Sequence, residues 1–417
     1  MFSPARRQPF ICLRCLSRTT LSTRTYSNSA QPLPPPPPPS GAAKLTTRRL
    51  LFLHGLDAAK FLQGIVAANV RPGAQSGFFA AFLTAQGKVL HDVFVFPTTG
   101  TQWYKRTLEG DGGKGSAEEN EPGFLVEVDA GQAEMLLKHV KRHKLRAKLQ
   151  LRLLQEGELD VWSVWREEEK WTRHSSTFAE KPEEATSVAP SSSSGDLDGC
   201  LGLVDSRAPG MGRRILLPST ATLGDLSTLE GLEEVPLSAY TLRRYLRGVA
   251  EGQAEIPRDN VLPMNANLDT MGAIDFKKGC YIGQELTIRT HHTGVVRRRI
   301  LPVSLYEPSS TPPEKLVYDG NWTLDTPAQE TEISVQGKRG KPGKWIAGVG
   351  NVGLAMCRLE MMTDLQVTGE PSTFSADDRF SVKVEGENGE QEAGVKAFVP
   401  DWLRGKIRTP KVLKRVE

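Results

Sequence analysis

The stretch from Phe276 to Leu286, F-K-K-G-C-Y-I-G-Q-E-L, constrains this chain more than any other. Ile274 and Phe276 read as the end of a strand, two lysines follow, and Gln284-Glu285-Leu286 reads as the start of a helix. Glycine at 279 and 283 permits positive φ and lets another molecule approach the main chain closely. A helix opening at Gly283 leaves its first amides as unpaired donors, with Glu285 well placed in the positive field of that turn. A cation (Lys278), a thiol (Cys280), a phenol (Tyr281) and free amides thus meet within a few residues. That set suits a ligand with a planar polar head and an anionic tail. The same residues also fit a plain strand-to-helix connection with a satisfied lysine and a buried cysteine, because free Cys often packs as a small hydrophobe.

The spelling from Lys278 to Glu285, K-G-C-Y-I-G-Q-E, resembles the signature of the YgfZ/GcvT-like family. These are tetrahydrofolate-binding proteins that assist iron-sulfur cluster assembly and are similar to the aminomethyltransferase T-protein of glycine cleavage. Other landmarks agree: F-L-Q-G at 61–64, L-T-A-Q-G-K at 83–88, E-I-P at 255–257 and L-P-M-N-A-N-L-D at 262–269. Asp205, Arg207, Gly212 and Arg213 resemble the family's D-x-R-x-x-x-x-G-x-R turn and strand. The resemblance covers most of residues 45–303, with weaker support to 403.

The resemblance implies an α+β fold, a GcvT-like multi-domain cloverleaf around a folate pocket with a small C-terminal β-barrel. Its pocket would be lined by Lys278, Gly279, Cys280, Tyr281, Gly283, Gln284 and Glu285, with Asp205 and Arg207 nearby. Lys278 would attract the glutamyl carboxylates or a ring oxygen. The amides of Asn265 and Asn267 could serve a pterin edge, or equally bond local backbone in a turn. Cys280 would line the pocket or act in cluster transfer, since a thiol beside a lysine and a helix start is favoured as the reactive thiolate. The implied function is a mitochondrial matrix factor that uses tetrahydrofolate to support maturation of [4Fe-4S] proteins, beside A-type iron-sulfur carriers. One rival is an active aminomethyltransferase. T-proteins carry K-G-D-F-I-G where this chain has K-G-C-Y-I-G, and an acidic residue where Leu246 stands in R-Y-L-R-G. A second rival is a non-catalytic interaction scaffold.

The leader carries separate information. Residues 1–40 hold five arginines and no acidic residue, are rich in Ser and Thr, and lack the compact apolar centre of a secretory signal. This is the composition of a mitochondrial transit peptide, followed by an extended polyproline spacer at Pro34–Pro39. Taking those arginines from the formal charge of +4 leaves the body at −1, which gives no electrostatic case for nucleic acid. No apolar run approaches the roughly 18 residues of a membrane span. Cys12 and Cys15 form a C-x-x-C inside the leader with no second pair, and Cys200, Cys280 and Cys357 are too scattered for a disulfide framework. The adjacent His291 and His292 do not share a face, so no metal site is expected.

The body, 44–290, reads as alternating strands and helices. Strands are expected at Leu50–Leu53, Phe78–Leu83, Val89–Phe96, Phe124–Val128, Leu145–Leu154, Leu159–Trp165 and Leu201–Asp205. Helices are expected from Asp57, a capping residue, to Gly64, over Ala133–His143 with Met135, Leu136 and Val140 inward, and over Leu237–Arg247. The basic end of the second, Lys138 to His143, reads as a solvated helix terminus in preference to a docking face. In the third, Arg243, Arg244 and Arg247 could reach a ligand or water. Segments 107–123 and 166–199 read as disordered insertions. Residues 291–417 read as the barrel, with strands at Trp345–Val349, Gly353–Leu359, Phe380–Val384 and Gly394–Val399 and an insertion at Glu307–Lys344.

Overall fold

The computed structural model describes residues 32–407 except 72, 74–75, 111–120, 169–199, 370–371 and 387–388. The leader before Pro32 and most of the 166–199 insertion therefore lie outside the described residues. Leu33–Glu417 forms one compact unit.

In chain order, β1 (Ser40–Lys44) and β2 (Arg48–His54) lead into helix α1 (Ala58–Ile65) and the hairpin β3 (Phe78–Leu83) and β4 (Val89–Pro97). Helix α2 (Gln102–Gly110) follows, then β5 (Gly123–Asp129), α3 (Ala133–Lys144), β6 (Gln150–Leu153) and β7 (Leu159–Arg166). Strands β8 (Leu201–Val204) and β9 (Arg213–Pro218) precede helices α4 (Leu237–Leu246) and α5 (Gln284–Thr293). The last six strands are β10 (Arg298–Tyr306), β11 (Glu332–Val335), β12 (Gly343–Val349), β13 (Val352–Arg358), β14 (Phe380–Gly386) and β15 (Gly389–Ala397).

Three sheets result: a five-stranded sheet ordered β3-β4-β5-β2-β6, a four-stranded sheet ordered β1-β7-β9-β8, and a closed barrel ordered β10-β13-β12-β11-β14-β15. This is the expected α+β architecture with its terminal barrel. The five-stranded sheet is covered on both faces. Leu51 and Leu53 of β2 meet α1 and α3, while Leu50 and Phe52 face the core shared with Trp165, Leu216 and Tyr240. A strand buried on both faces has no polar side to show, which is why β2 and β4 do not alternate in the sequence. The irregular register between Phe82 and Leu83 adds to this in the hairpin.

Several local expectations need correction. No strand ends at Phe276; the segment is a turn, and the Asp275 amide donates to the Ala67 carbonyl at 2.9 Å. Asp57 precedes α1 but does not cap it; its Oδ2 accepts from the Lys148 amide at 2.7 Å. Met135 points to solvent because only Ala133, Leu136 and Val140 share the buried stripe of α3. Helix α2 enters the segment read as a loop at 107–123, and β11 lies inside the expected insertion at Glu307–Lys344, where it completes the barrel. The polyproline segment is not a free spacer: the Tyr318 hydroxyl donates to the Pro34 carbonyl at 2.6 Å and Trp165 Nε1 to that of Pro38 at 3.0 Å.

Candidate functional site

Helix α1 ends with carbonyls that no further turn can satisfy. Val66 closes on Leu62, and the turn at 278–283 takes the carbonyls of Gln63 and Gly64 together with two just beyond the helix. Lys278 Nζ donates to the carbonyls of Gln63 at 2.7 Å, Val66 at 2.7 Å and Ala68 at 2.8 Å, and the Ile282 amide to that of Gly64 at 3.2 Å. An ammonium placed at a helix C-terminus is also favoured by the helix dipole. Burial pushes Lys278 down to about 8, opposed by the Asp275 carboxylate. All three N–H donors of the ammonium are thus engaged within the chain.

The rest of the turn is fixed as firmly. The Tyr281 ring is buried 5.0 Å from Lys278 Nζ, and burial, with Asp275 nearby, raises its phenol to about 12. Gly283 adopts φ 84°, and a Cβ there would lie 2.3 Å from the Thr84 carbonyl oxygen. Helix α5 starts at the next residue, with Glu285 exposed in its first turn, and the Thr287 hydroxyl donates to the Gly283 carbonyl at 3.1 Å. The Gln284 amide donates back to the Tyr281 carbonyl, and Gln284 Oε1 faces the Tyr281 amide at 3.4 Å. Gly279 takes no positive φ, contrary to expectation, and a Cβ there would meet nothing within 4 Å. Between these anchors Cys280 is exposed as a free thiol. The motifs F-L-Q-G, L-T-A-Q-G-K and K-G-C-Y-I-G-Q-E, scattered over the chain, therefore converge on one presented sulfur.

The two asparagines lie elsewhere in the bonding scheme. Asn265 Nδ2 donates to the Arg298 carbonyl at 2.6 Å and Asn267 Nδ2 to that of Ile300 at 2.7 Å. Arg299 completes the latch with a bidentate pair to Asp269, both contacts at 2.9 Å. Both amide nitrogens thus bond away from their own turn and fasten this loop to β10, the first strand of the barrel. A cleft of about 390 Å³ opens beside Asn265, lined by Leu262, Met264, Thr290, Val296 and Arg298.

Asp205 and Arg207 belong to a sealed ion network. Arg207 pairs with both oxygens of Asp205, at 2.9 and 2.7 Å, and its Nη1 lies 2.8 Å from Glu251 Oε2. Arg214 donates to Glu127 at 2.7 Å and to Glu251 at 2.7 Å, and Arg48 reaches Glu127 at 2.8 Å. The Tyr240 hydroxyl donates to Glu251 at 2.7 Å, and Arg244 grips Glu255 with both terminal nitrogens. Burial works against the Glu251 charge, but the guanidiniums of Arg214, Arg207 and Arg244 outweigh it and hold the carboxyl well below its usual range. For Glu127 burial prevails over Arg214 and Arg48, and its pKa is raised.

Arg48, Glu127, Arg214 and Glu251 were not singled out by the sequence reading. The signal for one was present: the last arginine of the D-x-R-x-x-x-x-G-x-R spacing is Arg214, not Arg213. Arg243 and Arg244 are buried and bonded within the chain. Arg243 donates to the Gly210 carbonyl and to Glu167, and Arg244 lies inside the network.

These contacts test the expected cofactor. Of the polar groups assigned to tetrahydrofolate, those of Lys278, Asn267, Asp205 and Arg207 are engaged within the chain and do not form a free folate-binding set, whereas the buried Tyr281 hydroxyl has no hydrogen-bond partner among the described residues. No group of three His, Cys, Asp or Glu side chains able to hold a metal occurs among the described residues. His291 instead stacks on Phe276, with ring centroids 3.6 Å apart.

Comparison with known proteins places this geometry. Residues 297–405 match the family model described as the CAF17 C-terminal beta-barrel domain. The chain is 43% identical over 421 residues to the mitochondrial iron-sulfur cluster assembly factor IBA57 homolog of Neosartorya fischeri, covering 94% of this chain and 89% of that one. To the protein of the same description from Pyricularia oryzae it is 45% identical over 413 residues, covering 96% and 94%. Among solved structures, the glycine cleavage system aminomethyltransferase T of Bartonella henselae superposes with a TM-score of 0.54 at 12% identity, over 89% of this chain and 88% of that one, a likeness of fold. With full-length relatives at this identity, the chain belongs to the family of mitochondrial iron-sulfur cluster assembly factors of the IBA57 type.

Proposed function

We propose that the protein supports maturation of [4Fe-4S] proteins by presenting Cys280 to an A-type carrier or a client protein. The observation that carries this reading is the exposed sulfur of Cys280 on a turn whose flanks are anchored by Lys278, Tyr281 and Gly283. One thiol cannot hold a cluster alone, and the described residues offer no second ligand set. A cluster handled here is cargo whose remaining ligands come from the partner. The thiolate is the ligating form of a cysteine, and an exposed position makes the sulfur accessible to a partner.

No step of this reading runs through tetrahydrofolate. Calorimetric titration of tetrahydrofolate into the protein, with Lys278→Ala alongside, tests the dependence that the resemblance implies. The functional experiment is depletion followed by complementation. Cys280→Ser should fail to restore aconitase-type activity, while Cys200→Ser should restore it. Full rescue by Cys280→Ser would overturn the proposal, and loss confined to glycine cleavage would favour the transferase.

A further inference from the structure

The end of α3 and the loop after it carry Lys138, Lys141, Arg142, Lys144, Arg146 and Lys148 with no acidic residue among them. In a body with a formal charge of −1, this is a marked concentration. All but Lys144 are exposed, and none of the six side chains is in an ion pair among the described residues. Ordinary helix-end placement accounts for the last turn of α3, but not for Arg146 and Lys148 beyond it.

The same loop holds a leucine out of the protein. Leu145 is 88% exposed, and its backbone stands at φ 45°, ψ −113°. The Ala147 amide donates to the Lys144 carbonyl at 2.8 Å, so Leu145 occupies the first central position of a type II′ turn, where glycine is strongly preferred. Leu56, 61% exposed, is on the segment that pairs with the far end of this loop. Its neighbour Asp57 bonds Lys148 in both directions, amide to carbonyl at 3.2 Å and carboxylate from amide at 2.7 Å. Two exposed leucines thus share an edge with cations that form no ion pair among the described residues.

We infer that this edge docks on an anionic phospholipid surface, the cations facing headgroups and Leu145 and Leu56 entering the acyl boundary. Near an anionic leaflet each Lys or Arg strengthens binding by roughly fivefold, and an inserted leucine adds to this. Single-stranded nucleic acid is a poorer fit, because its bases stack on aromatic side chains and the tips here are aliphatic. The edge is at the N-terminal end of α1, whereas Lys278 anchors the thiol turn at the other end, about 12 Å along an eight-residue helix. Docking therefore leaves Cys280 open, and the inference does not depend on what Cys280 does.

The test is sedimentation of residues 33–417, the compact unit, so that the leader arginines do not contribute. The probes are phosphatidylcholine vesicles with and without about a third phosphatidylglycerol. Binding should require the anionic lipid and fall with added salt. Lys141→Glu with Arg142→Glu should weaken it by more than about tenfold. Leu145→Gly relieves the strained turn, so it should leave thermal stability equal or raised while weakening binding about fivefold. No binding to anionic vesicles overturns the proposal. So does binding that responds to the charge reversals but is indifferent to Leu145→Gly, which would mark a site for a soluble polyanion or an acidic protein.

Discussion

Lys278 Nζ lies 2.7 Å from the carbonyl oxygen of Val66, a residue 212 positions earlier in the chain. The contact is one of three that close the end of α1, so the lysine of the signature acts as a cap on another element. Lys278→Ala leaves three partly buried carbonyls without donors, each loss worth about 1 kcal/mol or more. The variant should unfold at lower denaturant by roughly 2–3 kcal/mol, measured by equilibrium urea titration. A stability equal to wild type would show that the lysine is not structural.

Glu251 receives Arg214, Arg207 and Tyr240 in a site closed to water. Replacing it by alanine takes one of two carboxylate partners from each of the buried Arg207 and Arg214, which keep Asp205 and Glu127. Removal of one partner from a buried pair typically costs about 3–5 kcal/mol, and Glu251→Ala should approach that range or fail to fold. Glu251→Gln keeps the shape and one acceptor, and should lose less. Thermal unfolding of the two variants checks the order.

What could be read from the chain follows from where the physics is local. The helix at Gln284 and the strands β12–β15 follow from glycine punctuation and apolar runs, and those features act within a few residues. The Lys278 cap and the latch from Asn267 to Ile300 depend on partners that only tertiary packing supplies, so a lysine and an asparagine alone could equally have faced a ligand. The ion network was hidden for another reason. Glu127 stands in a strand buried on both faces, where a lone carboxylate in the pattern reads as a solvent position until Arg48 and Arg214 are seen beside it.

Cys280 is exposed and Cys357 is fully buried in the barrel, where burial pushes its thiol far up from the ordinary value. Iodoacetamide at neutral pH should therefore modify Cys280 in the folded protein and reach Cys357 only after unfolding. Peptide mass mapping with and without denaturant reads this directly. Native labelling of Cys357 in preference to Cys280 would contradict the presented-thiol geometry.

His91 is sealed between the sheet and α3, with its Nε2 2.5 Å from Arg258 Nη1. Burial first, then the Arg258 charge, lowers its pKa to about 3. The unfolded chain has the ordinary value near 6.5, so below that pH it binds a proton that the folded chain refuses. Stability from this group is complete above pH 6.5 and is lost as pH falls toward 3. Between about pH 6 and 4 the loss should approach ~1.4 kcal/mol per pH unit, on top of any other titrating groups. His91→Gln should flatten the slope by that amount, measured by urea unfolding across the range.

Gly279 and Gly283 flank the presented thiol and differ in what they tolerate. At Gly283, φ 84° and a Thr84 carbonyl oxygen 2.3 Å from any Cβ exclude a side chain on two independent grounds. The backbone of the β3–β4 hairpin would have to move, since the obstacle is not a flexible side chain. At Gly279 neither obstacle exists. Gly283→Ala should therefore destabilise by about 2 kcal/mol or more, whereas Gly279→Ala should stay within about 0.5 kcal/mol of wild type. The pair also separates structure from function at the turn. Gly279→Ala adds one methyl group beside an unmoved Cys280, so reduced cluster transfer by a fully stable Gly279→Ala protein would mean that a partner approaches the main chain at that residue.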